Sequence, residues 1–164
     1  MNAHEDLGAA ARAIIDSNYY MVLGTADADG RPWATPVFYA AKDYREFYWI
    51  SSPDVTHSTN LKVRPELGIV IFDSQQAPGT GSGLYMSAVA DQVDESEMDV
   101  ALETYPGPPE RGARRIAREE VAGPGPYRLY RATTSQHYML CPRETGQPCA
   151  PHGRLGDHRI EVYP

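Results

Sequence analysis

Between Ser51 and Asn60 the chain reads Ser-Ser-Pro-Asp-Val-Thr-His-Ser-Thr-Asn, a run of hydroxyls with an imidazole and an amide. It follows an aromatic strand pattern, Glu46 to Ser51 (EFYWIS), and opens a short polar helix within Pro53 to Pro65. The N–H groups of a first helical turn lack intrahelical acceptors and carry the positive end of the helix dipole. Ser, Thr and Asn side chains there can complete a cradle for an anion such as phosphate. The same residue types also cap helices without any ligand, and spacing alone leaves both readings open. A second run, Pro32-Trp33-Ala34-Thr35-Pro36-Val37, is a strand pattern carrying two prolines. Proline cannot donate to a ladder, so the strand's hydrogen bonding is interrupted or one-sided. It reads either as a protected edge or as a surface along which a flat ligand lies.

Other reactive side chains carry less. Cys141, Cys149, His152 and His158 fall in CPRETGQPCAPHGRLGDH. These types suit a soft metal, but paired C-x-x-C knuckles are absent, so no metal is expected. Free thiols, or a loop disulfide, are the readings of the two cysteines. Arg111, Arg114, Arg115 and Arg118 make a local basic face, either solvated or attracting an anionic substrate or cofactor tail. His4 reads as an exposed tail residue and His137 as a strand histidine. No side chain stands out as a general acid or base, so the catalytic residues are left unknown.

The elements that position these residues follow from periodicity. Leu7, Ala10, Ala11, Ile14 and Ile15 recur at helical spacing, predicting an amphipathic helix from about Ala3 to Ser17. Tyr20 to Thr25 and Pro32 to Tyr39 read as strands joined at Asp27-Ala28-Asp29-Gly30, and Leu67 to Phe72, Leu84 to Val93, Tyr127 to Leu140 and Arg159 to Tyr163 as further strands. Helical segments interrupted by Pro106-Gly107-Pro108-Pro109 lie within Ser96 to Val121. Turn-linked strands with short helices in the gaps predict a β-rich α+β fold, a six-stranded antiparallel barrel with peripheral helices. At 164 residues the chain suits one domain, 1–164, with a loop-rich segment 141–158.

Composition narrows the partners. Fifteen Lys and Arg against 22 Asp and Glu give a net charge of −7, which argues against nucleic acid. No run of 18 apolar residues is present, so no membrane association is expected. With two cysteines and no secretory pattern at the N-terminus, the expected compartment is cytoplasmic.

The order of TADADGRPWATPVFYA, FYWISSPDVTHSTNLKVRPELGIVIFD and GLYMSAVADQVD resembles the FMN-binding split-barrel family that includes pyridoxamine 5′-phosphate oxidase. The resemblance covers roughly Ala9 to Leu140. It implies a six-stranded split β-barrel and a homodimer with FMN at the interface. Thr35, Pro36 and Val37 would face the flavin ring, Ser51 and Ser52 would lie near the ribityl chain, His57, Ser58 and Asn60 would approach the phosphate, and Gln75 or Gln76 would lie near the ring edge. Many relatives carry Arg or Lys where this chain has His57, a weaker and pH-sensitive cation for which Lys62 or Arg64 would compensate. The C-terminal LGDHRIEVYP matches the true oxidases only loosely, through Arg159 and Pro164, so oxidation of pyridoxamine phosphate itself is not expected. The implied activity is FMN-dependent oxidoreduction of a small organic molecule. The alternatives are a deazaflavin-coenzyme-dependent reductase of the same fold, a non-catalytic flavin-binding protein, or an interaction protein.

Overall fold

The computed structural model describes residues 3–77, 81–143 and 146–164, with the side chains of 3–6 outside the description, so the reading of His4 is not addressed. Helix α1 (Ala3–Ser17) leads into strands β1 (Tyr20–Ala26), β2 (Pro32–Phe38), β3 (Ala40–Lys42) and β4 (Glu46–Ser51). Helix α2 (Thr56–Val63) precedes β5 (Glu66–Phe72) and β6 (Gly83–Gln92). Then come α3 (Met98–Thr104), a 3-10 turn (Pro109–Arg111), α4 (Arg118–Val121), β7 (Arg128–Leu140) and β8 (Arg159–Val162). The strands form one antiparallel sheet in the order β2-β1-β5-β6-β7-β4-β3, with β8 added to β7. It curls into the split half-barrel that the sequence predicts.

Alternation fills the interior. Met21 and Leu23 of β1, Phe47 and Trp49 of β4, Ile69 and Ile71 of β5, and Leu84 and Met86 of β6 point into one core, which α1 covers with Ala11 and Ile15. A second, smaller core lies where Tyr48 and Leu129 on the outer face of β4 and β7 meet Met98, Ala101, Tyr105 and Val121. Strand β7 serves both ladders. Its first half pairs with β4, its last residues pair with β8, and its other edge runs along β6 through a register shift between Ser87 and Ala88.

The strand count is eight where a six-stranded barrel was expected: β3 (Ala40–Lys42) is a further short strand just beyond the run Pro32 to Tyr39, and β8 is added outside the main strand order, on β7. Tyr39 is fully buried and donates its hydroxyl to the Ile15 carbonyl at 2.7 Å. The chain turns there: β2 pairs with β1, and β3, just beyond, pairs with β4. Arg111 holds the corner, donating to the carbonyls of Asn18 (2.9 Å) and Tyr39 (3.0 Å) with its guanidinium among the rings of Tyr19, Phe38 and Tyr39. Periodicity alone cannot show such a corner, since the alternation runs on through it.

The prolines of β2 sit on one phase. Pro32, Ala34 and Pro36 face Ala26, Gly24 and Val22 of β1, and β2 is the last strand on its side of the sheet. In an antiparallel ladder alternate residues bond to the same neighbour. Trp33, Thr35 and Val37 therefore carry the bonds to β1, and the prolines fall where their missing N–H faces the open edge.

Two predictions follow from this packing. A Cβ on Gly8 of α1 would lie 2.6 Å from the backbone oxygen of Tyr163, so Gly8→Ala should lower the unfolding free energy by about 1–3 kcal/mol despite alanine's better helix propensity, read as a lower thermal midpoint. His137 accepts or donates within hydrogen-bond distance of the Tyr44 carbonyl (2.9 Å) and Thr134 (3.2 Å), behind a turn in which Asp43 and Tyr44 both have positive φ. Burial holds this imidazole below its ordinary value, so the unfolded chain protonates first as pH falls. Its contribution is fully present above about pH 6.5 and is lost below it, at no more than about 1.4 kcal/mol per pH unit. Urea melts at pH 7.5 and 5.5 should show this slope, and His137→Gln should reduce it to the part that buried His57 contributes with the same sign.

Candidate functional site

Strand β4 places Phe47, Trp49 and Ser51 on its interior side, and the chain then leaves the sheet through Ser52, Pro53 and Asp54 to start α2. The residue before the helix is Val55, in extended conformation, and no side chain caps the helix. The capping reading of this segment is therefore not what the structure shows. Ser52 Oγ instead meets the Asp54 N–H at 3.5 Å, and Thr59 Oγ1 donates to the Thr56 carbonyl at 2.9 Å. The first-turn N–H groups of Thr56, His57 and Ser58 are left as donors at the positive end of the helix. Lys62, one face further along, reaches back with Nζ to the Pro53 carbonyl at 3.0 Å, which brings an exposed ammonium to the same loop. Arg64 donates instead to the Ala28 carbonyl (3.4 Å) in the β1–β2 turn.

The other residues predicted for this site divide into two groups. His57, Ser58 and Asn60 are buried beneath α2 together with Leu61. His57 Nε2 lies 2.8 Å from Ser51 Oγ, and burial lowers its pKa, so at neutral pH it offers a hydrogen bond and no charge. Asn60 donates to Thr25 Oγ1 at 3.0 Å, and Thr25 donates in turn to the Trp33 carbonyl at 3.4 Å, tying α2 to β1 and β2. The sequence held a sign of this inward face: His57 and Ser58 stand four and three residues before Leu61, on the same side of a helix. Asp54, Thr56, Thr59 and Lys62 are exposed on the segment and Ser52 is half-buried, so an acidic side chain stands in the same loop as the ammonium.

Several buried polar atoms around α2 have no partner. Among the described residues these include Ser58 Oγ, Thr35 Oγ1, Trp49 Nε1 and the Tyr130 hydroxyl. Trp49 stacks on Tyr130 with centroids 5.5 Å apart, and burial raises the Tyr130 phenol above its ordinary value. Buried donors and acceptors are normally satisfied, so the wall between α2 and strands β2, β4 and β7 is short of partners. Thr35 and Val37 point inward from β2, while Pro36 stays exposed on the open edge. That edge presents the carbonyls of Pro32, Ala34 and Pro36 and the N–H of Ala34.

Gln75 is placed elsewhere. It lies in the exposed turn after β5, where its N–H meets Asp73 Oδ1 at 2.8 Å. Strand β5 separates it from α2, roughly 20 Å of chain at about 3.3 Å per residue. Residues 78–80, which follow this turn, lie outside the described residues. Three of the four arginines of the basic face are engaged: Arg111 holds the Tyr39 corner, Arg114 pairs with Glu120, and Arg118 pairs with Glu95 and Asp99, while Arg115 is exposed. The face offers little free charge to an anionic tail.

On the outer face, an open groove of about 820 Å³ runs over β1, β2, β5 and β6. Its floor is a row of small residues in register, Ala34, Gly24, Gly68 and Ser87, flanked by exposed Trp33 and Val89. No helix among the described residues is long and apolar enough to cross a membrane.

No curated protein matches the chain. Solved structures share its fold. A heme binding protein from Mycobacterium smegmatis is 16% identical with a TM-score of 0.64, over 92% of this chain and 56% of that one. The heme storage protein HutZ from Vibrio cholerae is 19% identical with a TM-score of 0.58, over 83% of this chain and 92% of that one. A Clostridium acetobutylicum protein of the pyridoxinephosphate oxidase family, related to general stress protein 26, is 12% identical with a TM-score of 0.63, over 96% of both chains. At these identities the likeness is one of fold. The model of the pyridoxamine 5′-phosphate oxidase family matches residues 7–141, most of the chain, and the protein belongs to that family.

Proposed function

We infer that the protein binds FMN and serves oxidoreduction of a small organic molecule. The observation that carries this reading is the uncapped N-terminus of α2, with three unclaimed N–H groups and the Lys62 ammonium beside the same loop. This is a phosphate site built mainly from backbone, which suits an acidic chain that places a neutral imidazole at His57. Ser52 and Thr56 add hydroxyls at its rim. On the open edge of β2 the Ala34 N–H and C=O offer a two-point pairing with one carbonyl and the N–H of the uracil-like rim of a flavin. The unpartnered Thr35 and Ser58 hydroxyls lie on the inner wall behind it.

When bound, the flavin supplies electron and hydride transfer. The chain's own part is to hold and orient: α2 anchors the phosphate, β2 presents the ring's edge, and His57 with Ser51 fixes the loop between them. No acid or base is assigned. The outer groove fits a second copy of the chain, since its small-residue floor lets another surface approach closely and a barrel of this size cannot enclose a flavin alone. In such a homodimer Gln75, remote from α2 within one chain, is free to meet the partner's site.

Heme is the ligand named for two proteins of similar fold. Here His57 and His137 are buried and already hydrogen-bonded, so neither is presented as an axial ligand. The deazaflavin coenzyme remains the alternative of the same fold, and the paired arginines weaken the case for its acidic tail.

The test is a titration of the purified protein with FMN and with riboflavin, read by quenching of flavin fluorescence. FMN should bind at least tenfold more tightly than riboflavin, and Lys62→Gln should reduce FMN affinity by about tenfold while leaving riboflavin unchanged. Equal affinity for the two flavins would show that α2 holds no phosphate. Failure to bind either, with retention of the deazaflavin coenzyme, would reassign the cofactor. Gel filtration of the loaded protein should give a dimer.

A further inference from the structure

Residues 142–157 join β7 to β8, a connection longer than the roughly 12–15 residues that loops without secondary structure usually reach. Of its described residues the large apolar one is Leu155, which is exposed. Nevertheless Cys149, within this loop, is only 1% exposed, and Cys141 at its start is buried. Beside them stand two histidines, His152 exposed and His158 half-buried.

The four side chains arrive as two pairs. Cys141 and His158 face each other at the end of the β7–β8 ladder, where the Cys141 N–H donates to the His158 carbonyl at 2.9 Å. Cys149 and His152 share a tight turn, in which the Gly153 N–H returns to the Cys149 carbonyl at 2.8 Å and Gly153 takes a φ of +62°. The sulfurs and ring nitrogens of all four lie within 4.8 Å of one another. His152 Nδ1 is 3.5 Å from Cys141 Sγ, 3.7 Å from Cys149 Sγ and 3.2 Å from His158 Nε2, and His158 Nε2 is 3.6 Å from Cys149 Sγ.

These four separations match four of the six edges of a coordination tetrahedron, and the other two are no longer than 4.8 Å. With Zn–S near 2.3 Å and Zn–N near 2.0–2.1 Å, tetrahedral geometry requires S···N edges of about 3.5–3.6 Å and an N···N edge of about 3.3 Å. The imidazole planes stand at 89°, so the two rings do not stack. The other nitrogen of His158, Nδ1, lies 3.2 Å from the Gly156 carbonyl, the outer hydrogen bond that fixes a metal-binding tautomer. Both cysteines are free, so no disulfide accounts for their burial.

We propose that Cys141, Cys149, His152 and His158 form a closed tetrahedral zinc site that clips the 142–157 loop and β8 onto the end of β7. Two thiolates and two imidazoles are a borderline-soft set that suits Zn²⁺, and four protein ligands leave no position for substrate. The site is structural. It overturns the expectation of no metal, which rested on the missing C-x-x-C knuckles; here two ligands are brought together across a strand pair instead of along one turn. The metal would offset the closure entropy of a long polar loop that has little apolar surface to bury.

The experiment uses the full chain purified without an affinity-tag histidine run and without chelator. Elemental analysis should find about one zinc per chain, and both thiols should resist a thiol reagent under native conditions until a strong chelator is added. Cobalt substitution should give the visible bands of a tetrahedral site with thiolate-to-cobalt charge transfer. Cys149→Ser and His152→Ala should lose the zinc and melt at least about 5 °C lower, whereas His152→Cys, which restores a four-ligand set, should retain it. Zinc-free protein with two freely reactive thiols, a mass showing an intramolecular disulfide, one equivalent of a different metal, or full zinc content in Cys149→Ser would each overturn the proposal.

Discussion

The Tyr39 corner is the constraint on which the barrel depends. One continuous strand pattern must supply a partner to β1 and, a residue later, a partner to β4, and it can do so only if the backbone turns at a defined place. A fully buried phenol bonded to the end of α1 and an arginine shared between two carbonyls define that place. Burial pushes the Tyr39 phenol far above its ordinary range, so it stays neutral and remains a donor. Without the turn the run would continue beside β1, and β4 would lose the partner on one of its edges. The position of α2 follows from this, because β4 delivers the chain to it.

That hierarchy explains what could be read from the sequence. Strands β4, β5 and β7 stand out as apolar or aromatic runs, and the amphipathic period of α1 is clear over its full length, because burial on one face imprints a period on residue type. The prolines of β2 announced one-sided bonding, and the structure places them on an open edge. The corner at Tyr39 was not legible, because its cause is a hydrogen bond to a residue far away in the chain. The same limit applies at the site. The segment from Ser51 to Asn60 was recognisable as polar residues at a helix start, but which of them faces inward depends on helical phase. Leu61 gives that phase, and it turns His57, Ser58 and Asn60 toward the barrel.

The cysteines and histidines are gathered by the fold and not by their spacing. Their spacing matches no familiar metal motif because spacing along the chain is the wrong coordinate; the β7–β8 rung joins Cys141 to His158 across the whole loop. Similarly, Arg111, Arg114 and Arg118 look like a basic patch in one dimension, yet in three each is engaged by carbonyls or carboxylates. Charge counted from sequence overstates the field that a ligand would meet, since paired groups in water contribute little to it.

The double use of β7 also has a consequence for how the chain assembles during synthesis. Strands β1, β2 and β5 can pair among themselves early, but β4 waits for Arg128–Thr133, roughly 80 residues further on. Until then the strand that carries Phe47 and Trp49 has only the short β3 beside it, and the open edge of β2 is exposed as well. The prolines on that edge leave a second chain too few donors to zip onto. They protect the nascent protein during the interval in which its longest-range strand pair has not yet been made.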